Sequence, residues 1–104
     1  MRKANIFFNG KPTGLLIEEE NKSCRFEYLE KYHGPPVSLT LPTTKRNYHF
    51  DSFPPFFDGL LPEGASLEAL LRQAKLDRDD FFGQLVTVGA DLVGAVTVEE
   101  IKGP

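Results

Sequence analysis

The spacing of hydrophobic and polar positions changes midway along this chain, from period two to a helical period, and returns at the end. Ile6, Phe7 and Phe8 form an apolar, β-prone run that meets Asn9-Gly10, and Leu15-Leu16-Ile17 resumes it after Lys11-Pro12-Thr13-Gly14. Asn-Gly between apolar runs is a strong hairpin signal because these residues tolerate the positive φ of tight turns. Two antiparallel strands with a turn around residues 9 to 12 are therefore predicted. In Cys24 to Leu29 the residues Cys24, Phe26 and Tyr28 alternate with Arg25, Glu27 and Leu29, which predicts a third strand with one buried face. Gly34-Pro35-Pro36 breaks regular structure; Val37-Ser38-Leu39-Thr40-Leu41 then alternates again until Pro42, predicting a fourth strand ended by a residue without an N–H.

After a polar loop over Thr43 to His49, the helical period begins. Asp51 and Ser52 are suited to capping and Pro54 and Pro55 to a first turn. Phe56, Phe57, Leu60 and Leu61 follow before Pro62-Glu63-Gly64 stops the pattern. Ser66 is expected to cap a second helix with Leu67, Leu70, Leu71 and Ala74 on one face and Glu68, Arg72 and Lys75 off it. Asp77 and Asp80 resemble a capping box opening a third helix with Phe81, Phe82, Leu85 and Val86, ended by Gly89. Gly94 to Val98 reads as a closing strand. The sum is an α+β fold: a small antiparallel sheet of about five strands, with about three short helices inserted before the last strand, which returns to the early sheet. Residues 1–104 read as one domain without repeat or linker, and Lys102 to Pro104 as a frayed tail.

Composition narrows the function classes. A chain of 104 residues supports one modest core, whereas a kinase, a doubly wound dehydrogenase or a (β/α)₈ barrel needs roughly twice that length or more. Twelve Lys and Arg, scattered, stand against 15 Asp and Glu, a formal net charge of -3, which argues against direct nucleic-acid binding. The start of the chain lacks the apolar core of a secretory signal, and no apolar run approaches about 18 residues, so neither secretion nor a membrane partner is expected. Cys24 is alone, without a partner for a disulfide or a CxxC site; a reduced, cytoplasmic domain is the expectation.

Residue types that could carry chemistry all have plainer readings. His33 and His49 sit on predicted loops without the further ligands a metal site needs. Asp58 and Glu63 could form a carboxylate pair, but a charged rim beside an apolar helix is the commoner arrangement. Asp77, Asp79 and Asp80 lack the glycine and terminal Glu of a calcium loop. The glycines from Gly83 to Gly94 run from helix to strand, opposite to a dinucleotide fingerprint, and no P-loop Lys accompanies them. Ser38, Ser52 and Ser66 lack a nucleophile-elbow context, and the kinase His-Arg-Asp and Asp-Phe-Gly elements are absent. These residues imply no catalytic site, no metal and no cofactor: a protein that is not an enzyme. What stands out is apolar load: nine Phe and three Tyr, with Phe50, Phe53, Phe56, Phe57, Leu60 and Leu61 in one short segment. That load serves either the core alone or a partner as well.

Three ordered motifs identify a resemblance. Leu39-Thr40-Leu41-Pro42, Phe56-Phe57-Asp58-Gly59-Leu60-Leu61-Pro62-Glu63-Gly64 and Gly89-Ala90-Asp91-Leu92-Val93-Gly94-Ala95-Val96, with the Asn9, Gly10, Gly14, Leu15 opening, are similar to the N-terminal subdomain of HipA-type serine/threonine kinase toxins over about residues 4 to 99. In those kinases the subdomain is followed by the nucleotide-binding and catalytic parts, which this sequence does not contain. A freestanding version resembles HipS, the antitoxin of HipBST modules, which supplies in trans the subdomain its kinase HipT lacks. The resemblance implies a protein that binds and inhibits a HipT-like kinase, within a complex that can include a HipB-like helix-turn-helix protein. It also leaves open a non-inhibitory structural or activating subunit, or a fragment of a single-chain HipA-like kinase. On this reading inhibition requires docking that favours an inactive kinase, by obstructing the nucleotide cleft or restraining its phosphate-covering loop. The expected partner-binding segment is Asp58, Gly59 and Leu61 to Leu67, centred on the Pro62, Glu63, Gly64, Ala65, Ser66 turn, with Arg72 pairing an acidic group on the kinase.

Overall fold

The structure is a computed structural model and describes residues 1–102. Its elements are β1 (Arg2–Phe8), β2 (Lys11–Glu18), β3 (Cys24–Tyr28), β4 (Asn47–Phe50), α1 (Pro55–Asp58), α2 (Gly64–Ala74), α3 (Phe81–Val88) and β5 (Val96–Ile101). The strands form one antiparallel sheet in the order β4-β3-β2-β1-β5, so the last strand returns to the first, as the pattern predicts. Asn9 and Gly10 both take positive φ, 51° and 80°, which is what the β1–β2 turn asks of an Asn-Gly pair.

Strand register decides which side chains meet. Ala4 pairs with Leu16, Leu16 with Phe26, and Ile6 with Val98, so these residues share one face of the sheet. They join Phe57 of α1 and Phe82 and Leu85 of α3 in the buried core. Phe26 is its centre, edge-on to Tyr28 at 4.8 Å and tilted against Phe57 at 5.7 Å. Cys24 lies on the same face, and burial pushes its thiol up to about 11, which makes it a packing residue and a poor nucleophile. On the opposite face, Ile17 is only 3% exposed, set between Lys3 and Arg25 at the paired positions, and Arg25 is ion-paired to Glu19 at 2.7 Å and Glu27 at 2.6 Å.

Three sequence expectations are corrected. Val37 to Leu41 is not a strand; it lies within the long connection between β3 and β4, and the fourth strand is Asn47–Phe50, which overlaps the end of the stretch expected to be a polar loop. The alternation was real but records burial without a ladder. Val37 and Leu41 are buried and Leu39 is exposed because the Leu41 N–H turns back to the Ser38 carbonyl, 3.0 Å. The Tyr28 hydroxyl then donates to the Leu41 carbonyl and accepts from the Val37 N–H at 3.0 Å. Arg46 fastens the other limb of the connection, donating to the Leu29 and Tyr32 carbonyls, each 2.6 Å, with its guanidinium over the Tyr28 ring.

The helix caps also differ. Pro54, not Asp51 or Ser52, precedes α1, and Glu63, not Ser66, precedes α2. Asp80, not Asp77, caps α3, accepting from the Gly83 N–H at 3.1 Å. Asp80 is held in turn by Arg2, 2.7 Å away, which also bonds Glu18 and lies 4.9 Å over the Phe82 ring. This clamp joins the first strand to the start of α3. Gly89 does end α3, but with right-handed φ of -56°: it is required for space, since a Cβ there would collide with the Val98 carbonyl. The closing strand begins at Val96 instead of Gly94. Lys102 follows it exposed, and the rest of the expected tail, Gly103 and Pro104, lies outside the described residues.

Two outcomes are expected. Tyr28→Phe deletes a hydroxyl serving two buried backbone groups and should lower stability by about 1–3 kcal/mol, read as a lower urea midpoint at unchanged m-value. The hydrogen bond from Arg2 holds the Asp80 carboxyl below its ordinary 3.8, so its contribution is complete above that value and is lost as pH falls through the lower, folded-state value. The stability difference between wild type and Arg2→Met should therefore be largest above about pH 5 and shrink on acidification in pH-dependent melts.

Candidate functional site

The corner between α1 and α2 is built by a relay of turns. Phe57 anchors α1 in the core, and the Leu60 and Leu61 N–H groups each donate, at 3.1 Å, to the carbonyls of Phe57 and Asp58, extending the helix as a tighter turn. Glu63 then runs extended, with φ of -131°, before Gly64 starts α2 at φ +58°. A left-handed residue inside this reversal explains why the pattern broke at Pro62-Glu63-Gly64 and why α2 begins two residues before Ser66. Leu60, Leu61 and Pro62 are left half-buried as an apolar ridge.

Grooves flank this ridge. One, of about 520 Å³, is lined by Gly59, Leu60, Leu61, Pro62 and Ser66 on one side and by Val88, Asp91, Leu92 and Val93 on the other. The second, about 350 Å³, places Asp58, Glu63 and Leu67 opposite Arg78, Asp79 and Phe81. Gly64 and Ala65 stand exposed at the apex. Of the residues expected from sequence, Asp58, Gly59, Leu61, Pro62, Glu63, Ser66 and Leu67 thus gather around the ridge. Arg72 lines neither groove; it is exposed in the last turn of α2, where a cation suits the helix dipole.

Sequence reasoning missed the α3–β5 loop as part of this surface. Val93 is 95% exposed at the groove's edge, matched in exposure only by Leu39 among the large hydrophobics of the described residues. An apolar pair, Leu92-Val93, between Asp91 and Gly94 in a loop was the available signal. Helix α2 is the least anchored element: none of its residues is fully buried, and Leu67, Leu70, Leu71 and Ala74 are all half-covered. The Arg78–Glu68 ion pair that braces it is exposed and contributes little.

The other candidates lie elsewhere. Asp80 serves the Arg2 clamp, and the Asp77 carbonyl accepts from buried Gln84 at 3.1 Å. Ser38 bonds Thr40 within its own turn, while His33 and His49 are exposed, on the long connection and on β4. The structure brings no two of these together with the α1–α2 corner.

Comparisons with known proteins give the relatives of the whole chain. A family model described as the HipA N-terminal domain matches residues 4–99. An uncharacterized protein of Haemophilus influenzae is 32% identical over 102 residues, spanning 98% of this chain and 95% of that protein. Two Sinorhizobium fredii proteins, named "Putative kinase Y4dM" and "Putative kinase Y4mE", are 33% and 25% identical over 90% and 92% of this chain, which corresponds to only 25% and 24% of their own length. A solved structure titled "N-terminal domain of HipA toxin" superposes with a TM-score of 0.80 at 28% identity, covering 100% of this chain and 96% of that one.

The corner's backbone gives a direct test. Gly64→Ala meets open space but a left-handed φ, so it should cost about 1 kcal/mol, lower the melting temperature by several degrees and speed amide exchange at residues 62 to 67, with little change in the sheet.

Proposed function

The chain belongs to the HipA N-terminal domain family, and from that premise we propose that it acts as an antitoxin, binding a HipT-like serine/threonine kinase in trans and inhibiting it without catalytic activity of its own. The observation that carries this reading is the double occurrence of the domain. Its sequence fills nearly all of the Haemophilus protein, yet makes up about a quarter of each Sinorhizobium protein named as a kinase. A unit that packs on a kinase within one chain keeps complementary surface when supplied separately, and the open apolar corner beside α2 supports such a role. Inhibition then follows if the docked unit binds an inactive kinase conformation more tightly than an active one, since equal affinity shifts no population. A HipB-like DNA-binding protein joins the complex on this reading through the kinase, consistent with the net acidic charge of this chain. On this reading the complex forms in the cytoplasm. No helix among the described residues is long and apolar enough to cross a membrane.

The partial span on the kinases favours a second reading, a structural or activating subunit that completes a kinase fold. One assay separates the two. With a HipT-like kinase lacking this domain, saturating chain should reduce autophosphorylation and target phosphorylation at least tenfold. A rise, or binding without effect, selects the subunit reading, and absence of binding rejects both.

A further inference from the structure

The proposed kinase partner leaves open which face of this domain it covers and what chemistry recognises it there. Three of the faces carry contacts that the chain makes with itself. On the outer face of the sheet Arg25 is held by Glu19 and Glu27, and its strand neighbour Ile17 is 3% exposed. The free edge of β5 is taken at its middle by α3, where the Val98 N–H donates to the Gly89 carbonyl at 2.9 Å, and beyond that point Glu99 and Glu100 discourage strand pairing. The far end of α3 carries the Arg2 clamp, whose guanidinium is committed to Glu18 and Asp80 beside a groove of about 470 Å³. Other grooves open beside the Arg2 clamp and beside Tyr32, but the one that sets a half-buried apolar ridge against an almost fully exposed aliphatic, Val93, lies at the α1–α2 corner.

The charges around that opening are mostly acidic, with Arg78 the one cation among the described residues lining either groove. Asp58, Glu63 and Asp91 rim the ridge on both sides, are exposed, and take part in no ion pair among the described residues. The neighbouring cation, Arg78, is engaged by Glu68 at 2.5 Å. An apolar floor inside an unneutralised acidic rim complements a segment carrying a large apolar side chain flanked by Lys or Arg.

We propose that Val93, with the Leu60–Pro62 ridge, is the anchor of the kinase interface, and that the Asp58, Glu63 and Asp91 rim selects a basic segment of the kinase to lie over it. The proposal rests on the kinase-binding reading and specifies its geometry. Val93 and the ridge supply the buried contact that controls dissociation. The rim supplies attraction across solvent, which raises the association rate and fades with salt.

The test is binding of a HipT-like kinase lacking this domain, followed by surface kinetics, to wild type, Val93→Asp, the double variant Glu63→Lys with Asp91→Lys, and Leu39→Asp. Leu39, 94% exposed on the long connection, controls for loss of any exposed aliphatic. All four sites are exposed, so melting curves should stay close to wild type. Val93→Asp is expected to weaken binding by about thirtyfold or more, the level of an interface hot spot. The double charge variant should slow association and flatten its salt dependence, and Leu39→Asp should bind as wild type does. Wild-type affinity for Val93→Asp, or loss of binding on Leu39→Asp alone, overturns the proposal while kinase binding stands. Failure of the wild type to bind removes the kinase reading, and this proposal with it.

Discussion

Pairing of β5 with β1 is the constraint on which the rest of this structure depends. It joins Phe8 to Val96 and Lys3 to Ile101, from opposite ends of the sequence, and so makes everything from the β1–β2 turn to the α3–β5 loop a closed excursion. Within that excursion α3 is fixed at both ends. Arg2 holds its N-cap, and Gly89 lets its C-terminus ride against the β5 backbone closely enough to shield the edge. The placement of α3 then sets the α3–β5 loop beside the α1–α2 corner. The candidate surface is therefore a product of the sheet's closure, not of any local motif.

The parts of this fold that were legible in sequence are those whose signal is local. The Asn9-Gly10 turn, the alternation in Cys24 to Tyr28, the helical spacing of Phe82 and Leu85, and the return of the last strand all follow from periodicity and turn chemistry. Val37 to Leu41 misled because a side chain, the Tyr28 hydroxyl, satisfies backbone groups that a ladder would otherwise claim. Asn47–Phe50 was hidden because a four-residue edge strand alternates only twice, through half-buried Tyr48 and Phe50. Capping was misassigned where Pro54 and Gly64 determine the helix starts by backbone geometry, with no side-chain cap bond at α1 or α2.

The candidate site divides the same way. Residues 58 to 67 were legible because a proline, a glycine and a break in helical period coincide there. Val93 was not, because its significance lies in where the β5 pairing delivers it, beside Leu60 to Pro62, some thirty positions earlier in the chain. Arg72 attracted attention as a free cation near a suspected interface, yet the turn of the helix carries it away from both grooves. Packing, not local pattern, decides which residues compose the corner.

The meander of β1, β2 and β3 has a further consequence, for the order of events in folding. Its contacts are between neighbours in sequence and can form on the microsecond scale of hairpins, whereas β5 must close a loop spanning most of the chain. Until β5 arrives, β1 is an edge strand carrying Ile6, Phe7 and Phe8, an apolar template that another unfinished chain can extend. The pairing that closes the longest loop is thus also the one that covers this apolar edge.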